Sequence, residues 1–546
     1  MIELRSLTSL LLLSSIGLGC ARDAREESGK VGGTIVLSAS ADADVLVPPL
    51  TFSLVGKQVV DQMFDNLADI GEDLNTVGDA GFTPRLARRW RWGKDSLSID
   101  FELDPRARWH DGRPVRAGDV EYTFRLIKDP ALASPLASSL DNVDSVSVVD
   151  SLTARVWLKE RKPDAFFKVA QPVAILPSHL LGGSPPGSVR AGSFGGSPVG
   201  SGKFRFSAWD RGARIVLVAD SGNYRGRPRS DRLIWLVSAD YPAAAVRFLT
   251  GAADFIDVLR PEYVGKTTAE GKEVRASKGS LDYGYVAFNL VERKTGRPHP
   301  VLGDRELRRA LVMSVDRAAL VRSVFDTFGL VSHGPATRLL PTSDTTVSLP
   351  YDTARAARAL DSLGWRRGSD GIRRRGNTPL AFSLIVASSS ANRMKLAVLL
   401  QDQWRKAGAK VSVDPIELNT FGARMEERNF DALLNAWHIE PTPSSVREEW
   451  ASSEIKPGGY NAASYRNAQF DAVVDSATRE ASPRRSVELY RRAYRILAED
   501  APALWLYELR NVYGVSKRVQ PAGLRSDAWW RSLDQWSVAD TTATRD

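Results

Sequence analysis

The stretch Pro84 to Asp129, PRLARRWRWGKDSLSIDFELDPRARWHDGRPVRAGDVEYTFRLIKD, decides how the chain is read. Its middle alternates, with Leu97, Ile99, Phe101 and Leu103 on one side and Ser98, Asp100 and Glu102 on the other. That is the period-two pattern of a half-buried strand. The strand is expected to end at Asp104-Pro105, and His110-Asp111-Gly112 supplies a turn: an Asx side chain, then a residue free to take positive φ. A helix is expected from about Ala117, with Val120, Phe124 and Ile127 on one stripe. Arg116, just before it, carries none of the side chains that commonly cap a helix start.

The chain has 546 residues, enough for two to four domains. Its 43% hydrophobic and 25% charged content is that of a folded globular protein. A net charge of +9 raises the question of nucleic acid, but 74 basic residues are scattered among 65 acidic ones and form no stripe, so no nucleic-acid partner is expected. The run Arg373 to Arg375 lies between Gly371 and Gly376 and reads as a solvated turn. A basic surface favours contact with anionic lipid.

The only cysteine, Cys20, follows an apolar run from Leu7 to Gly19 that is too short to span a bilayer and reads as the core of a signal peptide. Gly17-Leu18-Gly19-Cys20 resembles a bacterial lipobox, although Gly17 stands where that pattern has leucine. Residues 1–20 are therefore expected to be a lipoprotein-type signal with Cys20 as the lipidated first residue of the mature chain. The alternative is an ordinary cleaved signal. Residues 21–32 read as a polar tether, and no later segment approaches the length of a membrane span.

Sequence signs of catalysis are lacking. Five histidines (His110, His179, His299, His333, His438) include no helical metal pair, and there is no Gly-x-Ser-x-Gly elbow. Gly200-Ser201-Gly202-Lys203 looks like part of a phosphate loop, yet Ser197 stands where that loop needs glycine and Phe204 where it needs Ser or Thr. No catalytic residue, metal or cofactor is expected. Carboxylate pairs assembled from distant parts of the chain are beyond a sequence reading.

Several blocks in order resemble the family 5 extracellular solute-binding proteins, the peptide- and nickel-binding lipoproteins of ABC importers. They are Gln62 to Leu67; Pro84, Leu86, Ala87 and Trp90; Trp109-His110-Asp111-Gly112 with Pro114; Asp119-Val120; Gly200 to Gly202; Asn223-Tyr224 with Gly226; Gly251 to Ile256; the helical run Leu302 to Phe325; and Phe430 to Asp471. The resemblance covers Gly33 to Val519. Strands alternating with helices argue on their own for an α/β architecture with parallel βαβ units. The resemblance implies more: a two-lobed periplasmic-binding-protein type II fold with a two-strand hinge and a larger first lobe carrying an extra subdomain. Its expected divisions are lobe I at 33–285, with the subdomain at about 55–190, lobe II at 286–500, and a return to lobe I at 501–546.

The expected site lies where a strand from Phe430 to Trp437 emerges into His438-Ile439-Glu440-Pro441. In the resembled peptide binders this strand end pairs with an extended ligand through main-chain hydrogen bonds, and an aspartate beyond the tryptophan holds the ligand's ammonium. Asn435, Trp437, His438 and Glu440 are the candidates here. No aspartate lies between Trp437 and Glu440, so either Glu440 takes the ammonium or Glu440-Pro441 is structural and the ligand is not a free peptide. Ser388 and Ser389, at a strand end before a helix expected from Arg393 with Asn392 as cap, offer orphan N–H groups to an anion. Tyr507, with Trp505, matches a position that reaches the cleft or else packs in the hinge core. The resemblance implies a monomer that takes up an oligopeptide-like solute and delivers it to a membrane permease, with a dipeptide, a nickel complex or a sugar oligomer as other solutes. The rival functions are a secreted carboxylate-dependent hydrolase and a transporter-independent binding or signalling lipoprotein.

Overall fold

A computed structural model of the protein describes residues 31–539, so Cys20, the signal and most of the tether lie outside the described residues. The alternating strand is present at Ser98–Leu103. It pairs antiparallel with Ala87–Trp92 on one side and Thr153–Leu158 on the other, and Val143–Val148 completes a four-stranded sheet. Ile99, Phe101 and Leu103 are fully buried. The opposite face is a charge ladder in which Arg155 grips Asp100 at 2.5 and 2.9 Å. The helix Ala117–Lys128 lays Val120, Phe124 and Ile127 on the apolar face. Asp119, at its third position, accepts the Arg116 backbone N–H at 2.9 Å. It therefore does at the helix start what Arg116 cannot do. The same buried carboxylate holds Trp109 Nε1 (3.3 Å) and Ser178 Oγ (2.6 Å), which joins two blocks of the sequence pattern to the segment around Ser178.

Two larger sheets hold most of the remaining strands, and three small sheets of two or three strands hold the rest. The seven-stranded sheet runs Glu273–Ala276, Val512–Val515, Phe255–Ile256, Thr34–Ala39, Arg232–Val237, Arg214–Ala219 and Phe204–Asp210. The six-stranded sheet runs Gly329–Val331, Ala503–Leu509, Asp282–Phe288, Ala432–His438, Ala381–Ala387 and Lys410–Ile416. Both are mixed. Thr34–Ala39 is parallel to both neighbours, and Ala381–Ala387 is parallel to both of its own. The other pairs are antiparallel, so the expected βαβ units account for only part of each sheet. Trp235 and Trp536 are fully buried in the first sheet's core, where Phe255 packs on Trp529 (ring centroids 4.5 Å) and on Trp536 (4.9 Å). The C-terminal segment thus completes the core of the first sheet.

The chain passes between the two large sheets at Ser277–Leu281 and again at Arg510–Asn511. The crossings are bonded to each other: Ser277 N–H donates to Asn511 O (2.9 Å), Asn511 N–H donates to Ser277 Oγ (2.9 Å), and Arg510 donates to Ser277 O (3.1 Å). Two short linked crossings are a hinge. They lie several residues from the divisions at 285 and 501, because Asp282–Phe288 and the whole of Ala503–Leu509 pair inside the second sheet.

Two local expectations change. The helical run from Leu302 is broken into Arg305–Met313 and Arg317–Phe325, because Asp316 turns out of the helix and caps the second one through Ala319 N (2.9 Å). The helix expected from Arg393 starts at Ala391 with Ser390 as its cap, so Asn392 lies inside the first turn. Among the described residues no helix is long and apolar enough to cross a membrane.

Candidate functional site

Many of the family-like blocks meet at a buried knot in the first lobe. Asp65, with a fully buried side chain, accepts hydrogen bonds from Arg85 Nε (2.9 Å), Arg225 (2.5 Å), Ser201 Oγ (3.1 Å) and the Tyr224 hydroxyl (3.0 Å). His110 closes the knot. Its Nδ1 accepts from Gly200 N (3.2 Å), so Nε2 carries the proton that goes to Gly202 O (2.9 Å). Burial holds this imidazole below its ordinary pKa, and it stays neutral. Both glycines are needed for close approach: a Cβ at Gly200 would lie 1.8 Å from Met63 O, and one at Gly202 would lie 2.3 Å from Gln62 O. These blocks hold the subdomain on the first sheet, and their role is structural.

Most of the candidate site residues belong to the second sheet. Ala432–His438 runs antiparallel to Asp282–Phe288, with Trp437 opposite Tyr283 and Asn435 opposite Tyr285. Residues directly opposite share a face, so Tyr283, Tyr285, Asn435 and Trp437 form one wall, joined by Trp505, which is opposite Tyr285. The other face carries Val286, Leu434 and Leu506 into a separate core. Asp282 and His438 end their strands at the edge from which the crossings leave, and His438 Nδ1 is 2.9 Å from Asp282 Oδ1. That bond holds His438 above its ordinary pKa. Because Ala381–Ala387 runs parallel to Ala432–His438, with Val386 opposite Leu434, Ser388 and Ser389 reach the same edge, and both are exposed.

The structure therefore brings Asn435, Trp437, His438, Ser388 and Ser389 together at one edge. Glu440 is further along and is already engaged: it forms an ion pair with Lys168, on the helix Ala165–Ala170 of the four-stranded subdomain. Beside it, the buried Asp164 accepts from Thr442 Oγ1 (2.7 Å) and Ser444 Oγ (2.9 Å), so this loop is tied to the subdomain. Tyr507 is placed elsewhere. It lies on the far face over Gly284, where any Cβ would stand 2.0 Å from its ring, and packs against Phe325 at 4.6 Å between centroids. It is 4% exposed and belongs to the core.

Beside Trp437 opens a pocket of about 360 Å³. It is lined by the buried Tyr285, Glu449 and Trp450 and by Trp437, with the exposed Glu426 and Tyr460 on its solvent side. Tyr460 stands edge-on to Trp437, with ring centroids 5.2 Å apart. Glu449 is 6% exposed. Its Oε2 accepts the Tyr283 hydroxyl, and its Oε1 has no partner among the described residues. Burial pushes this carboxyl up to about 8 against the pull of the Tyr283 hydrogen bond, so it is largely neutral at pH 7. The sequence reading passed over Glu449, Trp450, Tyr283 and Tyr285. The available signals were two tyrosines at period two in an otherwise apolar strand and an acid-acid-tryptophan run, Glu448 to Trp450, in a short amphipathic helix. Among the described residues, no cluster of three or more His, Cys, Asp or Glu could hold a metal ion.

Comparison with known proteins places this geometry. The oligopeptide-binding protein AppA of Bacillus subtilis is 24% identical over 526 residues, covering 94% of this chain and 94% of that protein. Protein XP55 of Streptomyces lividans is 29% identical over 494 residues, covering 89% and 86%. Among solved structures, AppA in complex with a nonapeptide superposes with a TM-score of 0.69 at 23% identity, covering 94% of this chain and 100% of that one. The substrate-binding protein CtaP of Listeria monocytogenes superposes with a TM-score of 0.80 at 20% identity, covering 94% and 100%. The family profile described as "Bacterial extracellular solute-binding proteins, family 5 Middle" matches residues 81–457, well over half of the length. The chain belongs to the family 5 bacterial extracellular solute-binding proteins.

Proposed function

We propose that this chain is the extracytoplasmic solute-binding component of an ABC importer, anchored by lipid at Cys20, which as a monomer captures an oligopeptide-like solute between its lobes and hands it to a membrane permease. The observation that carries the reading is the second-sheet edge at the hinge, where Trp437, on the same strand face as Asn435, adjoins a pocket and, among the described residues, the chain crosses twice between the large sheets. A strand end offers main-chain hydrogen bonds that are independent of ligand side chains, and pockets beside it read the side chains. The relatives named for oligopeptides support the same reading. Closure on the solute requires that the solute bind the closed arrangement more tightly than the open one, and contacts from both lobes provide that difference. At this edge Asp282 is engaged by His438 and Glu440 by Lys168.

Native mass spectrometry of the mature domain, starting after Cys20 and purified without added ligand, tests the reading. A ladder of peptide-sized adducts, lost on unfolding and refolding, is expected. A single defined mass would point to one dedicated solute, and a protein without any adduct counts against peptides. Recovery of a bound peptide unchanged after long incubation separates a carrier from a hydrolase.

A further inference from the structure

The pocket beside Trp437 is built around an unfinished contact. A carboxyl oxygen buried without a partner costs free energy, and proteins rarely keep one without a use. Glu449 Oε1 is such an atom, with the Trp450 side chain close by but its indole N–H likewise unpaired among the described residues, in a pocket lined in part by the rings of Tyr285, Trp437, Trp450 and Tyr460. The titratable groups that face it are Tyr283 and Tyr285 from the sheet, Tyr494 from the helix Pro483–Asp500 and Glu448 from its own helix, with Glu426 at the mouth. All are acids or phenols, so among the described residues none of these groups supplies a cation to this carboxyl.

We propose that this pocket is a side-chain subsite for a cation. It takes the ammonium of a lysine or the guanidinium of an arginine carried by the solute, with Glu449 Oε1 as counter-ion and the Tyr285, Trp437, Trp450 and Tyr460 rings around the alkyl stem. The volume, about 360 Å³, suits one long side chain. Aromatic faces attract cations, and the attraction grows when both are out of water. Tyr460, 56% exposed, stands at the entrance, so a side chain can enter without unfolding the wall. Arrival of a cation favours the carboxylate over the carboxylic acid. The proton now on Glu449 is then released to solvent, and binding at neutral pH is coupled to the loss of up to one proton.

The inference rests on the solute being peptide-like, and the experiment separates the two. n-Butylammonium, a lysine tip without a peptide, is tested against 1-butanol by saturation-transfer NMR on the full mature chain. Transfer to the amine alone is expected, with loss in Glu449→Gln, whose side-chain oxygen can still accept from Tyr283. Reduced transfer is also expected in Tyr460→Ala, where the removed ring is exposed and the fold is not at risk. Equal transfer to amine and alcohol, or to the amine in wild type and Glu449→Gln, overturns the proposal. Alanine pentapeptides with one lysine or one norleucine at each position in turn are then titrated calorimetrically. Lysine is expected to win by roughly 10- to 100-fold at one position, with the gap closed by Glu449→Gln and proton release seen in buffers of different ionisation enthalpy. Peptides that bind with lysine equal to norleucine throughout sink the subsite and leave the peptide reading standing. If butylammonium binds and no peptide does, the peptide reading fails and the cation pocket stands.

Discussion

Asp65→Asn should separate what the family-like blocks do for the fold from the solute binding proposed for the second sheet. In the wild type one fully buried carboxylate answers Arg85, Arg225, Ser201 and Tyr224 at 2.5 to 3.1 Å. Asparagine keeps the shape but offers one acceptor oxygen and turns an NH₂ group toward two guanidinium groups. Arg85, whose side chain is 9% exposed, keeps Asp69 at 3.0 Å and the Asp61 carbonyl at 3.0 Å. Arg225 has only Asp65 as an ion-pair partner among the described residues. Breaking a buried pair from one side costs about 3–5 kcal/mol. The compensation left to Arg85 argues for the lower end, about 3 kcal/mol. The assay is urea unfolding followed by tryptophan fluorescence, with the lobes free to unfold in separate transitions. The first-lobe midpoint should fall while solute adducts in native mass spectrometry persist, because none of these residues lines the Trp437 pocket. A loss below about 1 kcal/mol, or adducts lost at an unchanged midpoint, would refute the structural assignment of the knot.

Three further outcomes follow from the geometry. Glu449, raised from 4.5 to about 8, stabilises the second lobe fully below pH 4.5 and loses that contribution as pH rises through 8. The ceiling is about 5 kcal/mol, so thermal melts between pH 5 and 9 should slope downward less steeply in Glu449→Gln than in wild type, and leave the variant the more stable at pH 9. Lys168→Gln breaks a partly exposed ion pair, and less than about 1 kcal/mol of stability should be lost. With Glu440 freed, calorimetry should show tighter binding of peptides with a free N-terminal ammonium and no change for their acetylated forms; equal gains in both would remove Glu440 from ammonium recognition. Gly200→Ala, with its Cβ driven to 1.8 Å from Met63 O, should fail to accumulate as folded protein, whereas Gly118→Ala, with nothing within 4 Å, should behave as wild type.

Much of this architecture can be read without coordinates. The period-two strand at Ser98–Leu103 and the helix at Ala117–Lys128 are local, since a two-faced sheet and a one-striped helix each leave a fixed spacing in the residues. The ordered blocks carry the rest of the fold class. Where local signals compete, the reading slips: Ser390 rather than Asn392 caps its helix, because the side chain that reaches the free N–H groups is set by where the strand Ala381–Ala387 ends. Asp316 splits a run that is apolar-periodic throughout, since capping the next turn wins over continuing the last.

The site is less legible, and the reason is distance along the chain. Asn435, Trp437 and His438 are neighbours in sequence and stay neighbours at the strand end. That Ser388 and Ser389 join them follows from a parallel register, which no local spacing encodes. Tyr507 has the composition of a cleft residue, and only the absence of a side chain at Gly284 on the facing strand lets it sink into the core.

The sequence by itself determined which segments become strands and helices, and the order of blocks that makes this a two-lobed binder, because periodicity and turn chemistry act over a few residues. Tertiary structure alone decided which charges are free. Glu440 is answered by Lys168, 272 positions away; Asp65 is answered by Arg85 and Arg225; and Glu449 is left with an open oxygen beside Trp437. A carboxylate's chemistry depends on its burial and its partners, and both are set only when distant parts of the chain meet.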